Sequence, residues 1–364
     1  MNKFPLINLN HTYIIAEAGV NHNGSIATAK KLIDAAVSAG ADAVKFQSFQ
    51  ADNIVSRLAP KAPYQIKTTS HAQSQLEMIK KLELSEKDHW ALFVYCKKRK
   101  IQFLSTPFDL PSIELLARTL DLPVLKIPSG EITNGPYLIA IAKTEKPLLL
   151  STGMSSLEEI KTALGVLAFG YLRKNTKPSI KNFGNAFCLP AGQKILREKV
   201  ALLQCTTEYP APYDNVNLRA MDTIHKEFCL PVGLSDHTAG IAVAVAAVAL
   251  GAKVIEKHFT LDKKMPGPDH KASLEPNEMK KMIRSIRQVE QALGNGEKIA
   301  MPAELKNRDI ARKSLVAAKI ICQGEAFTPD NLTIKRPGSG LSPMKYWETI
   351  GKKALKDYEM DEVI

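Results

Sequence analysis

The sequence predicts an α/β protein: a (β/α)8 barrel followed by a small, mainly β C-terminal domain. Three observations carry this expectation. Eight short apolar runs recur along the chain, each ended by a polar residue and followed by a helix-like stretch. No G-x-G-x-x-G follows the first run, which argues against a doubly wound open sheet. From about Met301 the texture changes to short β-like runs separated by turn residues, with no long helical period.

The runs are "YIIA" (13–16), "AVKF" (43–46), "QFLS" (102–105), "VLKI" (124–127), "PLLLS" (147–151), "ALLQC" (201–205), "PVGLS" (231–235) and "KVIEKH" (253–258). Near-continuous apolar strands alternating with helices suit a parallel sheet covered by helices. Closed on itself, that sheet is a barrel of about 250 residues plus insertions. Helical stretches include 25–41, 155–169 and "PNEMKKMIRSIRQVEQALGNG", which opens with Pro276 in its first turn and closes at Gly294. Met279, Met282, Ile283, Ile286, Val289 and Leu293 mark its apolar face. Two stretches break the rhythm: residues 51–85 after strand two, and the insertion 170–199 before strand six. Connections that long commonly carry function. The expected organisation is a barrel over 1–294, a polar link over 295–308, and a second domain over 309–364. At about 60 residues that domain is marginal alone and should lean on another surface.

Composition sets outer bounds. Of 364 residues, 45% are hydrophobic and 24% charged, as in ordinary soluble globular proteins. No apolar run approaches the roughly 20 residues that span a bilayer, and the N-terminus shows no signal-peptide pattern. Five cysteines form no C-x-x-C pair, which points to reduced thiols in the cytoplasm. The net charge of +12 favours an anionic, phosphorylated substrate. The basic cluster "KKRK" (97–100) falls at a helix end, where it complements the dipole. It lacks the aromatic interleaving of a nucleic-acid surface, so neither nucleic acid nor membrane is expected as a partner.

In barrel enzymes the chemistry collects at the C-terminal ends of the strands. Here those ends carry Glu17, Lys45 with Gln47, Ser105 with Thr106, Lys126 with Ser129 and Glu131, Ser151, Thr206 with Thr207, Ser235 with His237, and Lys257 with His258. Lysine point charges and small hydroxyls converging from several strands suit a phosphate and a carboxylate. His237 and His258 follow neighbouring strands, so their imidazoles can share one ion and leave positions open for water and substrate. A lone histidine there would more often cap a loop. Nitrogen ligands admit Zn, Mn, Co or Fe. Glu17 is either a rim ion-pair partner or a proton handler. Lys126, if desolvated, suits a Schiff base. Asp269 in "GPDH" is a turn residue or a ligand for sugar hydroxyls, and "GVNHNG" (19–24) reads as a Gly-rich turn. Arg336, held by Pro337, suits a polar substrate.

"IIAEAGVNHNG", "AVKFQ", "STPFD", "LKIPSGE", "LSTGM", "QCTTEYPAPYDNVNLRAM", "GLSDHTAG", "VIEKHFTLDKKMPGPDHKASLEP" and "RKSLVAAKIICQGEAFTPDNLTIKRPGSGLSP" together resemble the sialic acid synthase family over nearly the whole chain. The terminal module resembles that family's antifreeze-like (SAF) domain. The resemblance implies condensation of phosphoenolpyruvate with an N-acetylated mannose-type sugar, giving a nine-carbon 2-keto sugar acid and phosphate. It implies a divalent metal, typically Mn²⁺, on His237 and His258, with Lys45, Lys126, Ser129, Ser151 and Ser235 around phosphoenolpyruvate. Glu17, Glu131, Tyr209 and Asp269 would face the sugar or a metal-bound water. Arg336 would reach the sugar site of a partner in a domain-swapped homodimer. Two departures stand out: Thr207 replaces an asparagine found in some members, and the 170–199 insertion is absent from shorter ones. The sugar stays open. N-acetylmannosamine leads to N-acetylneuraminate, and a 2,4-diacetamido-trideoxy mannose leads to a legionaminic acid. These sugars differ at C4 and C6, and the readout is expected in the two long connections. More distant readings are a Schiff-base aldolase using Lys126 or Lys257 and a non-catalytic sugar-binding protein.

Overall fold

Each of the eight apolar runs forms a strand: β1 Tyr13–Gly19, β2 Ala43–Ser48, β3 Gln102–Pro107, β4 Leu125–Ile127, β5 Leu148–Ser151, β6 Val200–Cys205, β7 Val232–Asp236 and β8 Val254–His258. The computed structural model describes residues 4–7, 11–61, 66, 74–172 and 175–364. Parts of the predicted N-terminal segment, of the 51–85 connection and of the 170–199 insertion lie outside these residues. The strands pair in parallel in the order β3-β2-β1-β8-β7-β6-β5-β4. β3 and β4, at the ends of that order, pack side by side and nearly close the cylinder.

Side chains on a strand alternate between its two faces, and both faces are buried here. The outward set (Ile14, Val44, Phe46, Phe103, Leu148, Leu202 and Ile255 among others) packs against the helices in the main core. The inward set begins with an apolar layer: Ile15, Ala43, Leu104, Val124, Leu149, Ala201, Leu203 and Val254, plugged by Phe4. Burying each larger aliphatic side chain in that layer contributes about 1.5–3 kcal/mol. Gly233 completes it, because a Cβ there would lie 2.3 Å from the Val254 carbonyl oxygen. Two residues further along each strand the same face turns polar, so the apolar layer is the floor on which the site stands.

The outer helices follow from local signals. Ser25 caps helix Ile26–Ala39, which ends at left-handed Gly40. Capping boxes Ser85/Asp88 and Ser156/Glu159 open helices Glu86–Arg99 and Leu157–Tyr171. Lys97, Lys98 and Arg99 occupy the last turn of the former, and Arg99 pairs with Asp34 at 2.8 Å. Helix Pro276–Ala292 buries Met279, Met282, Ile283 and Ile286, whereas Leu293, expected on that face, is exposed. The described part of the 170–199 insertion is mostly helical, with helices Ile180–Cys188 and Pro190–Lys199. They lie on the outer helix layer: Phe183 packs edge-on against Phe169 at 5.3 Å. Gly192 is needed because a Cβ would come within 1.9 Å of the Ala186 carbonyl oxygen. No residue of this pair lines the central cavity; Phe183, Ala186 and Leu196 are buried in the helix layer, while Ile180 is exposed.

The chain divides into units Met1–Gly294 and Asn295–Ile364. In the second, helix Pro302–Ala311 begins inside the stretch read as a polar link. It precedes the antiparallel pair β9 Ser314–Ala317 and β10 Leu332–Lys335. Isolated bridges, including Ile321 with Tyr358 and Ala326 with Lys353, extend the pairing around a core of Ala317, Ile321, Phe327, Leu332 and Ala354. Among the described residues no helix is long and apolar enough to cross a membrane.

Candidate active site

Above the apolar floor, the inward positions of the strands surround a cavity of about 300 Å³. Period-two spacing delivers them: Ile15 leads to Glu17, Ala43 to Lys45 and Gln47, Leu104 to Thr106, Val124 to Lys126. Likewise Leu149 leads to Ser151, Leu203 to Cys205, Gly233 to Ser235 and His237, and Val254 to Glu256 and His258. All of these polar residues line the cavity, as do Ser129, Thr207, Tyr209 and Asp269 from the following loops. In the register, Glu17 sits between Lys45 on β2 and His258 on β8.

The centre is an ionic network. Lys45 Nζ lies 2.6 Å from Glu17 Oε2 and 3.7 Å from Glu256 Oε2, and it donates to Thr106 Oγ1 at 2.7 Å. Lys126 Nζ lies 3.7 Å from Glu256 Oε1 and donates to Ser151 Oγ at 2.7 Å. Ser235 Oγ donates to Glu256 Oε1 at 2.9 Å. Burial by itself pushes both carboxyls up. At Glu256 the ammonium groups of Lys126 and Lys45 and the Ser235 hydroxyl overcome it and hold the pKa near 2. At Glu17 burial wins over Lys45, Glu256 adds repulsion, and the pKa rises to about 7. Burial lowers Lys126 below the ordinary lysine value, against the pull of Glu256. Burial also acts to lower Lys45, but Glu17 and Glu256 outweigh it and raise it. The network therefore drives one carboxyl toward its ionised form and its neighbour toward its protonated form. Across the cavity Asp269 is lifted by burial to about 6, although His237 opposes the shift.

The two imidazoles stand with ring centroids 5.3 Å apart, and Tyr209 packs on His237 at 4.2 Å. His237 Nδ1 donates to the Thr206 carbonyl at 2.7 Å, which leaves Nε2 for a ligand. His258 Nδ1 is buried without a hydrogen-bond partner. Burial, then His237 and Lys45, push His258 well below the ordinary histidine range, so it is neutral and able to ligate. Among the described residues no three His, Cys, Asp or Glu side chains are grouped to hold a metal. The pair fits an ion that takes its other ligands from water and substrate.

Several sequence expectations shift. Lys257 stands on the outward face of β8, where it donates to Asp236 Oδ2 at 2.7 Å and to the Thr238 carbonyl at 2.6 Å. It is closed to any substrate, which removes it as a Schiff-base candidate. Ser105 likewise faces outward, bonded to Ser48, which in turn meets His89. Thr206 donates to the Asn215 carbonyl and does not line the cavity. Glu131 does not line it either: the short turn Ser129–Glu131 directs its carboxylate to Asn134 Nδ2 at 2.7 Å. Arg336 belongs to the second unit, where its Nε donates to the Ala311 carbonyl. Sequence reasoning missed Glu256, although its spacing two before His258 on a strand was the available signal. Cys205 and the apolar residues of the cavity were missed as well.

Fold and rim define a class: a barrel enzyme built to hold an anionic substrate beside a polar one. The chain matches the NeuB family over residues 32–298 and the SAF domain over residues 312–364. It belongs to the NeuB family and is a synthase of that phosphoenolpyruvate-dependent type. It is 56% identical over 353 residues to the N,N'-diacetyllegionaminic acid synthase of Campylobacter jejuni, covering 97% of this chain and 98% of the relative. It is 46% identical over 341 residues to the enzyme of the same name from Legionella pneumophila, covering 94% and 90%. The human N-acetylneuraminate-9-phosphate synthase is 37% identical over 356 residues, covering 97% and 91%. Among solved structures, the N-acetylneuraminic acid synthetase of Leptospira borgpetersenii in complex with citrate superposes with a TM-score of 0.66 at 29% identity. That match covers 83% of this chain and 92% of the other.

Proposed function

We propose that the protein condenses phosphoenolpyruvate with a 2,4-diacetamido-trideoxy mannose to form an N,N'-diacetyllegionaminate and phosphate. The observation that carries the sugar choice is the 56% identity, over nearly the full length of both chains, to a diacetyllegionaminic acid synthase. The N-acetylmannosamine reading, first expected from the motifs, is the second choice because N-acetylneuraminate-type relatives stand at 37%.

The residues support this chemistry in a definite way. Lys45 and Lys126 face the phosphate and carboxylate, with Ser129, Ser151, Thr207 and Ser235 donating short hydrogen bonds. Thr207 Oγ1 is buried without a protein partner, so its bonding capacity is left for the substrate. The enol carbon C3 of phosphoenolpyruvate forms a bond to the sugar aldehyde carbon, whose oxygen takes a proton. Water adds at C2 and gives one proton to a nearby base. The hydroxyl of the resulting tetrahedral centre then passes its proton to the phosphate as the C2–O bond to phosphate breaks, leaving a ketone at C2 and inorganic phosphate. Glu17, its carboxyl pushed up by burial, is placed to relay the proton from water, and Asp269 and Tyr209 orient the sugar. The lysines stabilise charge on the departing phosphate. His237 and His258 would hold a divalent ion, Mn²⁺ by the family's habit, which when bound supplies Lewis-acid polarisation of the aldehyde. The protein is further proposed to work in the cytoplasm, which five free thiols support. It is also proposed to act as a homodimer in which Arg336 serves the partner's sugar site. The exposed Met344, Trp347 and Leu355 support a surface that another chain covers. Phosphate release measured with each sugar in turn tests the assignment: faster turnover of N-acetylmannosamine would reverse it.

A further inference from the structure

The loops after the first three strands give the cavity a second character. Val20 follows β1, Phe49 follows β2 and Phe108 follows β3, while Met78, Ile79 and Leu82 come from helix Gln75–Lys80 and its exit; all six line the cavity. Val20, Phe49 and Leu82 form one buried cluster, with Ile79 and Phe108 packed against it. The Phe49 and Phe108 rings meet edge-to-face at 6.2 Å. Ile79 and Phe108 remain half-buried, with hydrocarbon held open to the cavity. Apart from the weakly accepting Met78 sulfur, no side chain in this wall can make a hydrogen bond. A phosphate, a carboxylate and a chain of hydroxyls have no use for such a wall, whereas methyl groups do.

We propose that this wall seats the methyl groups that set a 2,4-diacetamido-trideoxy hexose apart from N-acetylmannosamine, and so makes the enzyme's sugar selectivity. The inference rests on the acetamido-sugar synthase reading above. A hydroxyl at C6 directed at the wall loses its water and finds no partner, while a C6 methyl or the methyl of a C4 acetamido group gains apolar contact. Apolar surfaces discriminate only modestly in this way, by roughly 10- to 100-fold, so the preference is graded rather than absolute. Ile79 and Phe108 act here as specificity-determining residues that carry no charge or hydrogen bond of the ionic network.

Three sugars separate the possibilities when given to the metal-supplemented full-length enzyme with phosphoenolpyruvate: N-acetylmannosamine, its 6-deoxy analogue, and the 2,4-diacetamido-trideoxy sugar. The wall predicts a gain in kcat/KM of roughly 10-fold or more from removing the C6 hydroxyl, from adding the C4 acetamido group, or from both. The two steps tell which methyl it holds. Ile79→Asn and the gentler Phe108→Tyr, which adds a single hydroxyl to an unchanged ring, should each narrow that preference several-fold. The KM for phosphoenolpyruvate should stay put, showing the ionic network intact. Equal kcat/KM for all three sugars overturns the wall by itself, without any variant, and leaves the synthase reading standing. A preference that survives both substitutions in folded protein also overturns it. Phosphate release with none of the three would instead strike the synthase reading beneath it.

Discussion

Neighbouring residues on β8 show two ways to bury a charge. Lys257 faces outward and is closed: Asp236 and the Thr238 carbonyl accept its hydrogen bonds, and both side chains of the ion pair are fully buried. Glu256 and His258 face the lumen and are open. Glu256 has lysines at 3.7 Å on either side, and both Glu256 Oε2 and His258 Nδ1 lack hydrogen-bond partners. The fold could have closed the inner network as it closed the outer one. A buried polar group left unsatisfied by the protein needs a partner such as water, an ion or a substrate, and Glu256 and His258 are the two of these three residues whose side chains face the cavity that could supply one.

Breaking the closed side should cost stability first. Lys257→Ala strands Asp236 in the wall and should lower unfolding free energy by about 3–5 kcal/mol. Urea titration measures this, and protein kept folded at low temperature should retain its KM for phosphoenolpyruvate. On the open side the order reverses. His237→Ala or His258→Ala, or a strong chelator on the intact protein, should raise the barrier by at least ~3 kcal/mol with little change in the urea midpoint. Full turnover in chelator would remove the metal from the picture. Glu17→Gln keeps shape but loses the ionisable group, and should slow kcat about 100-fold while phosphoenolpyruvate still binds. Near-normal turnover would return Glu17 to a purely structural ion pair.

Two smaller tests probe regions away from the lumen. Gly192→Ala forces a methyl onto the Ala186 carbonyl and should cost about 1–3 kcal/mol of stability, with kcat unchanged because no residue of the inserted helix pair lines the central cavity. His22, buried after β1, is held at about 4 chiefly by burial, then by His89. Its folded pKa lies below its unfolded value, so the unfolded chain binds the extra proton and stability falls as pH drops from about 6.5 towards 4. Between pH 6.5 and 5.5 this one group should remove about 1 kcal/mol, and His22→Phe should flatten that part of a pH–stability curve.

The sequence by itself determined the eight strands, the barrel class, the change of texture after Met301 and most of the cavity-facing polar residues. These are local facts: an apolar run with a polar end reads the same wherever it is placed. The motifs also carried the family. Which face of each strand looks inward was decided by closure of the barrel. Glu256 and Lys257 are adjacent on a strand buried on both sides, and hydropathy cannot rank them; pairing of β8 with β1, across more than 230 residues of chain, puts Glu256 beside Lys45 and Lys257 outside. The inserted helices look like a functional loop in the sequence, and only their packing on helix Leu157–Tyr171 shows where their apolar residues go. The apolar wall is likewise assembled from single residues in three loops and a short helix, each unremarkable alone. Its character arises when the strand ends bring those loops together, because a surface made by long-range contacts has no signature in any one segment.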